Sequence, residues 1–167
     1  MAGSIAEQER AGIDLVTDGQ VRWFDPVSHW FKGFKGIRLG GLVRFFDTNR
    51  YYRISKIVGP LESREDSLIR RDSSFAIGSA KKPVKVILTG PVTLAALSQT
   101  GAGFRRFEEL MESILTRLIE ELPGLVSLGP AWIQIEEPLI LKRPELMSFL
   151  SHALKKMFEK KGRSRIL

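Results

Sequence analysis

Polar side chains follow three short apolar runs of the sequence, at the points where predicted strands end. These stretches are Asp18 to Arg22, Thr89 to Thr93 and Gln134 to Pro138. In parallel α/β proteins, ligands are held at the carboxyl ends of the strands. Carboxylate and amide groups placed there could therefore bind the polar groups of a substrate.

The third stretch follows a run, Ala131 to Ile135, that has the composition of a buried strand. Because side chains alternate along a strand, Gln134 and Glu136 share one face and Glu137 points to the other. One of the two carboxylates is therefore a candidate substrate-binding group. The alternative is a solvated strand exit, in which Pro138 simply ends the pairing.

The elements that would position these groups are predicted from apolar spacing, capping residues and turn residues. Predicted strands cover residues 13–17, 84–89 and 131–136, with a possible fourth within 42–58. Predicted helices cover 5–11, 93–98, 104–122 and a last segment from Pro144. A capping box from Ser4 to Glu7 and a stop at Gly12 indicate the first, and Pro123-Gly124 ends the third. Residues 66–80 are predicted as a loop or an irregular helix. This alternation predicts parallel β/α units, too few for a closed eight-stranded barrel of about 250 residues.

Composition narrows the class of protein. The chain has 167 residues, 43% of them apolar, and no cysteine, so it can form neither disulfides nor thiolate metal sites. No apolar run reaches the roughly 20 residues that span a bilayer, and no secretory segment is evident, so we expect a cytoplasmic protein. Of the net charge of +7, +5 comes from residues 155–165, which predicts a basic C-terminal tail at 155–167.

Residues 20–56 are rich in aromatic residues, glycine and arginine. Aromatic rings beside arginines can stack on nucleic-acid bases. A long loop or hairpin that buries its rings against its own scaffold is the more common outcome, and we favour it. Nucleic-acid binding is therefore a minor alternative.

Together with residues 46–52, Phe-Asp-Thr-Asn-Arg-Tyr-Tyr, the three polar stretches resemble, in order and spacing, the cobalamin-independent methionine synthase family. The resemblance covers roughly residues 4–140. It implies a (β/α)₈ barrel that transfers a methyl group to the thiol of homocysteine, with zinc stabilising the thiolate. We therefore predict a partial (β/α)₈ barrel over residues 1–154, without the first strand and the C-terminal half of the family's barrel.

The resemblance also assigns roles to residues. Gln20 and Glu136 occupy the positions that hold the amino group of the substrate, where the family has a glutamate and an aspartate. Arg44, Arg50 and Tyr51 occupy positions that bind the methyl donor. In the folate-using enzymes a tryptophan and a glutamate stand in place of Leu97 and Lys142. The methyl donor is therefore either a folate or a corrinoid.

The family's zinc ligands are a histidine, cysteines and a glutamate from later strands, and this chain offers no such set. Its two histidines, His29 and His152, have no ligand partner at useful spacing, and we interpret both as structural. No catalytic residue is assigned.

Several hypotheses follow from this gap. The first is a homocysteine methyltransferase that becomes active only with a companion chain that completes the barrel and brings zinc. The second is a non-catalytic remnant, or an interaction module of the same fold, whose open sheet edges favour self-association. Another enzyme on the same kind of barrel, such as one resembling uroporphyrinogen decarboxylase, is a related alternative.

Overall fold

The computed structural model describes residues 1–64, 67–101, 104 and 106–160. Its helices are α1 (Ala2–Arg10), α2 (Ser28–Phe31), α3 (Leu68–Ser79), α4 (Pro91–Ala96), α5 (Phe107–Ser127) and α6 (Met147–Lys160), with 3₁₀ turns at Pro138–Leu141 and Pro144–Leu146. Its strands are β1 (Phe34–Arg44), β2 (Tyr51–Ser63), β3 (Lys85–Thr89), β4 (Ser98–Thr100) and β5 (Trp132–Glu136). In this described part, no helix is long and apolar enough to cross a membrane.

A layer of parallel strands carries two of the three polar stretches. Strands β3 and β5 pair in parallel from Lys85 opposite Trp132 to Thr89 opposite Glu136, as the sequence predicts. Next to β3, Val16 forms a single parallel bridge to Val84. We call Val16, β3 and β5 the parallel layer.

The predicted strand at 13–17 is wrong in extent, since it is reduced to the bridge at Val16. The physical reason is a competing partner on α1. The Gln8 side chain donates to the Thr17 carbonyl and accepts from the Thr17 N–H, both at 2.9 Å. The backbone of Thr17 is therefore satisfied by a side-chain amide.

A second sheet contains β1, β2 and β4 in that order, and we call it the hairpin sheet. Strands β1 and β2 are antiparallel, and β4 adds to β2 in parallel. The possible fourth strand within 42–58 corresponds to β2, which lies in this hairpin sheet and not beside β3 and β5. The interpretation of the aromatic segment as a hairpin that buries rings is confirmed for Trp30, Phe31, Phe34 and Tyr52.

The core lies between the parallel layer and α5. Val86, Leu88 and Ile133 belong to the same buried cluster as the apolar stripe of that helix. The predicted end of α5 before Pro123 is wrong, since the helix continues to Ser127. Leu122 and Leu125 are fully buried, so packing on both sides of the proline keeps the chain helical despite the local cost of about 3 kcal/mol.

The remaining helices differ from prediction mainly at their ends. Helix α1 begins at Ala2 and places Ser4 inside the helix, so the predicted capping box is wrong. The positive φ of 80° at Gly12 matches the predicted stop. The segment 66–80 was predicted as a loop or an irregular helix, and it contains the regular helix α3, capped by Ser67; residues 65–66 lie outside the described residues. Helix α6 continues past position 155, and residues 161–167 of the predicted basic tail also lie outside.

Candidate substrate-binding cleft

Gln20 lies on a tight turn that its neighbours hold in place. The Asp18 carboxylate accepts the Gln20 N–H at 3.0 Å, and the Trp23 N–H donates to the Gln20 carbonyl at 2.9 Å. Both Gly19 and Gln20 have positive φ, 68° and 52°, which is uncommon for a residue with a side chain. A side chain at Gly19 would overlap the Ser4 hydroxyl, so this turn requires glycine there. Burial is the main cause that raises the pKa of Asp18.

This turn forms one wall of an open cleft of about 370 Å³, which we call the Gln20 cleft. The lining residues are Gly19, Gln20, Trp23, Phe24, Asp25, Pro26, Phe45, Arg50 and Tyr51. Three of the five residues singled out in the sequence, Gln20, Arg50 and Tyr51, are thus brought together from the turn and from the hairpin.

The other two residues do not line this cleft. Arg44 is exposed at the end of β1, where it pairs with Tyr51 in the strand register. Glu136 is half-buried at the end of β5 and accepts a hydrogen bond from Gln134 at 2.8 Å. Its strand partner Thr89 donates to the carbonyl of Pro26, a cleft residue, at 2.7 Å. Glu136 therefore lies beside Thr89, the residue of the neighbouring strand that contacts the cleft wall.

The neighbouring carboxylate, Glu137, has a structural role. It accepts the N–H groups of Val92 and Thr93 at 2.8 and 2.7 Å, in the first turn of α4. Burial raises the pKa of Glu137, although these hydrogen bonds act in the opposite direction. A Cβ at Gly90 would overlap this carboxyl group, so glycine is required there. The side chain of Glu137 is occupied by the helix, which leaves Glu136 as the candidate for a ligand.

Asp25 is a cleft residue that sequence reasoning missed. It is buried and accepts the N–H groups of Val27 at 2.9 Å and Ser28 at 2.6 Å, which fixes the start of α2. Its second oxygen accepts the N–H of Arg53 from β2 at 3.1 Å. The available signal was Asp25 and Ser28 spaced as a helix cap. No sequence pattern indicates the hydrogen bond from the Arg53 N–H.

Lys142 forms an ion pair at the protein surface. Its ammonium lies 2.7 Å from the Asp47 carboxylate, and so joins the turn of the hairpin to the segment after β5. This contact lowers the pKa of the fully exposed Asp47. Lys142, which the sequence resemblance aligns with a glutamate of the folate-using enzymes, is thus engaged by the hairpin.

The residues present do not fit the zinc ion that the resemblance implies. Within the described ranges, no group of three or more histidine, aspartate or glutamate side chains could hold a metal, and the chain has no cysteine. His29 is buried under Trp23, with ring centroids 5.2 Å apart, and His152 lies 2.5 Å from Glu112 between α6 and α5.

Comparison with known proteins identifies the family. Residues 1–157 match the family model described as the catalytic domain of cobalamin-independent synthase. The chain belongs to the cobalamin-independent methionine synthase family. The resemblance stated from the sequence motifs is confirmed.

Named relatives of the family agree with this assignment. A methionine synthase of Saccharolobus solfataricus is 32% identical over 140 residues, which cover 84% of this chain and 42% of that protein. One of Thermoplasma volcanium is 34% identical over 161 residues, covering 90% and 45%. A 5-methyltetrahydropteroyltriglutamate–homocysteine methyltransferase of Yersinia pestis is 30% identical over 158 residues, covering 90% and 20%. The chain thus spans less than half the length of these family members.

Solved structures share the fold. A B12-independent methionine synthase from a Shewanella species, in complex with selenomethionine, superposes with a TM-score of 0.82 and 24% identity over 98% of this chain and 48% of that one. A putative vitamin-B12-independent methionine synthase from Listeria monocytogenes gives 0.68 and 13% over 99% and 51%. The fold is therefore a mixed α/β fold with parallel strands, as in structures of this family.

Proposed function

We propose that this chain supplies part of the homocysteine-binding side of a methyltransferase that converts homocysteine to methionine. The observation that carries this proposal is the Gln20 cleft, where Gln20, Arg50 and Tyr51 meet in a chain that belongs to the family. In this proposal the amino group of the substrate extends from Gln20 beyond the cleft toward the Glu136 carboxylate, whose strand partner Thr89 bonds to Pro26 of the cleft wall. An ammonium group gains most from the charged partner, because charge-assisted hydrogen bonds are the stronger kind.

The methyl donor binds on the hairpin side of the same cleft. Arg50 and Tyr51 line the cleft and offer a guanidinium group and a half-exposed ring, and Arg44 lies opposite Tyr51 in the register. The aromatic side chains Trp23, Phe24 and Phe45 surround the same space. A planar donor with anionic groups fits these surroundings, since rings stack and guanidinium groups bind anions.

We further propose that the parallel layer is part of a (β/α)₈ barrel completed by polypeptide outside residues 1–167. Two observations support this. Lys85, Ile87, Gln134 and Glu136 are only half-buried on the face that points away from α5. Among the described strands, β5 also has a partner on one edge alone. The additional polypeptide would also bring the zinc ligands that this chain lacks.

The unpaired edge also supports the second candidate, a non-catalytic module that self-associates. An exposed strand edge is a template for pairing with another chain. Analytical ultracentrifugation, together with a homocysteine-binding measurement, distinguishes this module from the methyltransferase. Oligomers that form without any homocysteine binding would favour this module, whereas a monomer that binds homocysteine favours the methyltransferase.

The direct test is titration of the protein with L-homocysteine under reducing conditions in a calorimeter. We expect binding by the unchanged chain and a loss of affinity on the order of tenfold in Glu136→Gln, since a charged partner of the ammonium group is removed. Glu7→Gln is the matched control, because the Glu7 side chain is 76% exposed and pairs with Arg10 on the surface of α1. Equal affinity in all three proteins, or none, would refute the assigned role of Glu136.

A further inference from the structure

A buried carboxylate lies behind the Gln20 cleft, on a helix that does not line it. Asp72 of α3 is 2% exposed. Arg22 donates to one of its oxygens at 2.8 Å, and the His29 ring nitrogen Nε2 lies 3.5 Å from the other. Arg71, from the same helix, approaches at 3.4 Å. A carboxylate in such a place requires cationic or hydrogen-bonding partners, because burial of an unpaired charge is costly.

Two of these partners belong to the segment that forms the cleft wall. Arg22 follows Gln20 by two positions, and its guanidinium also covers the ring of Phe75 on α3 at 5.1 Å. His29 stacks against Trp23 with an interplanar angle of 13°. The indole ring of Trp23 in turn lines the cleft. Asp72 is therefore connected to the cleft in two ways. Arg22 leads along the backbone to Gln20, and His29 leads through stacked rings to Trp23.

We propose that Asp72 is a positioning residue for the Gln20 cleft, which fixes the turn of Gln20 through Arg22 and the ring of Trp23 through His29. This inference rests on the proposed function and extends it, because it assigns a role in substrate binding to α3. Asp72 touches no part of the cleft itself. It acts through the ion pair with Arg22, which ties α3 to a segment about 50 positions away in the chain. That segment includes the turn that holds Gln20 at an unfavourable positive φ.

The variant Arg22→Gln tests this inference from the exposed end of the ion pair, because the Arg22 side chain is 41% exposed and Arg71 stays beside the Asp72 carboxylate. We expect amide hydrogen exchange at Gln20 and Trp23 to become about tenfold faster, since the turn loses its anchor. Arg70→Gln is the matched control. Arg70 lies on α3, the helix of Asp72. Its side chain is 48% exposed and pairs with Glu121, away from the turn of Gln20. Wild-type exchange rates in Arg22→Gln would overturn the proposal.

Ligand affinity separates positioning from general stability. We expect the dissociation constant for L-homocysteine to rise on the order of tenfold in Arg22→Gln, as for other supporting residues behind a binding site. Arg22→Lys, which keeps the charge, should restore much of the affinity, and Arg70→Gln should leave it unchanged. An equal loss in Arg70→Gln would show a stability effect and refute the positioning role. Faster exchange together with no homocysteine binding by the wild-type chain would support the anchor and refute the proposed function.

The second route is tested at His29. The chain has two histidines, so an NMR titration of the ring protons is assigned with one further variant, His152→Gln. Burial lowers the pKa of His29, and the charge of Asp72 opposes this effect. Asp72→Asn should therefore lower the pKa of His29 further, while Asp18 still raises this pKa and Lys32 and Arg71 still lower it. An unchanged titration would show that Asp72 does not hold His29, and would overturn this route.

Discussion

The parallel layer and the hairpin sheet differ in the regularity of their strand pairing. In the parallel layer, β3 and β5 pair without interruption and bury one face in the core with α5. In the hairpin sheet, the register of β1 and β2 shifts twice, between Lys35 and Ile37 and between Leu39 and Leu42. The hairpin buries Phe34, Tyr52, Ile57 and Leu61 in the same core, and polar links such as that from Asp25 to β2 add to this burial. Both regions therefore share the apolar core, but the strand pairing is continuous in the first and interrupted in the second.

The joint between the parallel layer and α4 should be the most sensitive point of this comparison. Gly90→Ala would place a methyl group in the Glu137 carboxyl group and displace it from the N–H groups of Val92 and Thr93. We expect a loss of about 3 kcal/mol in the free energy of unfolding, from overpacking and from unpaired polar groups. Urea denaturation followed by circular dichroism measures it.

Gly78→Ala is the matched control for this substitution. Gly78 lies in α3, and a Cβ there meets nothing within 4 Å. Because alanine favours the helix over glycine, this variant should be stabilised by about 0.5 to 1 kcal/mol. Equal destabilisation by both substitutions would mean that the contact of Gly90 with Glu137 is not the cause.

Asp25 should be the most sensitive point of the hairpin sheet. In Asp25→Asn, one carboxylate oxygen becomes an NH₂ group and faces a donor, either the Arg53 N–H or the N–H groups that begin α2. We expect a loss of about 2 kcal/mol, because a buried donor is left unpaired. Hydrogen exchange should accelerate in β2 more than in β3.

Asp14→Asn is the control for that experiment, since Asp14 is a 90% exposed side chain paired with Lys82. It should change the free energy of unfolding little. Uniform acceleration of exchange in both sheets of Asp25→Asn would contradict the view that this aspartate acts locally on the hairpin.

Sequence reasoning succeeded where the fold depends on apolar pattern. Strands β3 and β5 and the buried stripe of α5 follow from runs and periodicities of apolar residues. It failed where a distant side chain decides, as at Thr17, whose backbone is bound by Gln8. The hairpin lacks regular alternation, because its register shifts twice. The sequence therefore predicted a loop or hairpin and a possible strand within 42–58, but not the limits of the two strands.

The candidate site shows the same division. Family motifs led to Gln20, Arg50 and Tyr51, which the fold brings to one cleft. Asp25 and Asp72 carry no motif, and their importance arises only from burial and from partners far away in the chain. Residues of that kind are found from three-dimensional contacts.

The pH dependence of stability gives the finest test of the joint at α4. Burial raises the pKa of Glu137 above its ordinary value of 4.5, so the folded chain holds this proton more tightly than the unfolded chain. Its contribution to stability is fully present below the unfolded pKa and is lost as the pH rises through the folded pKa. The stability difference between wild type and Glu137→Gln should therefore shift against the wild type over that interval. Because other titrating groups are common to both proteins, they cancel in the difference, and a difference that stays constant or shifts in favour of the wild type would show that the hydrogen bonds from α4 outweigh burial.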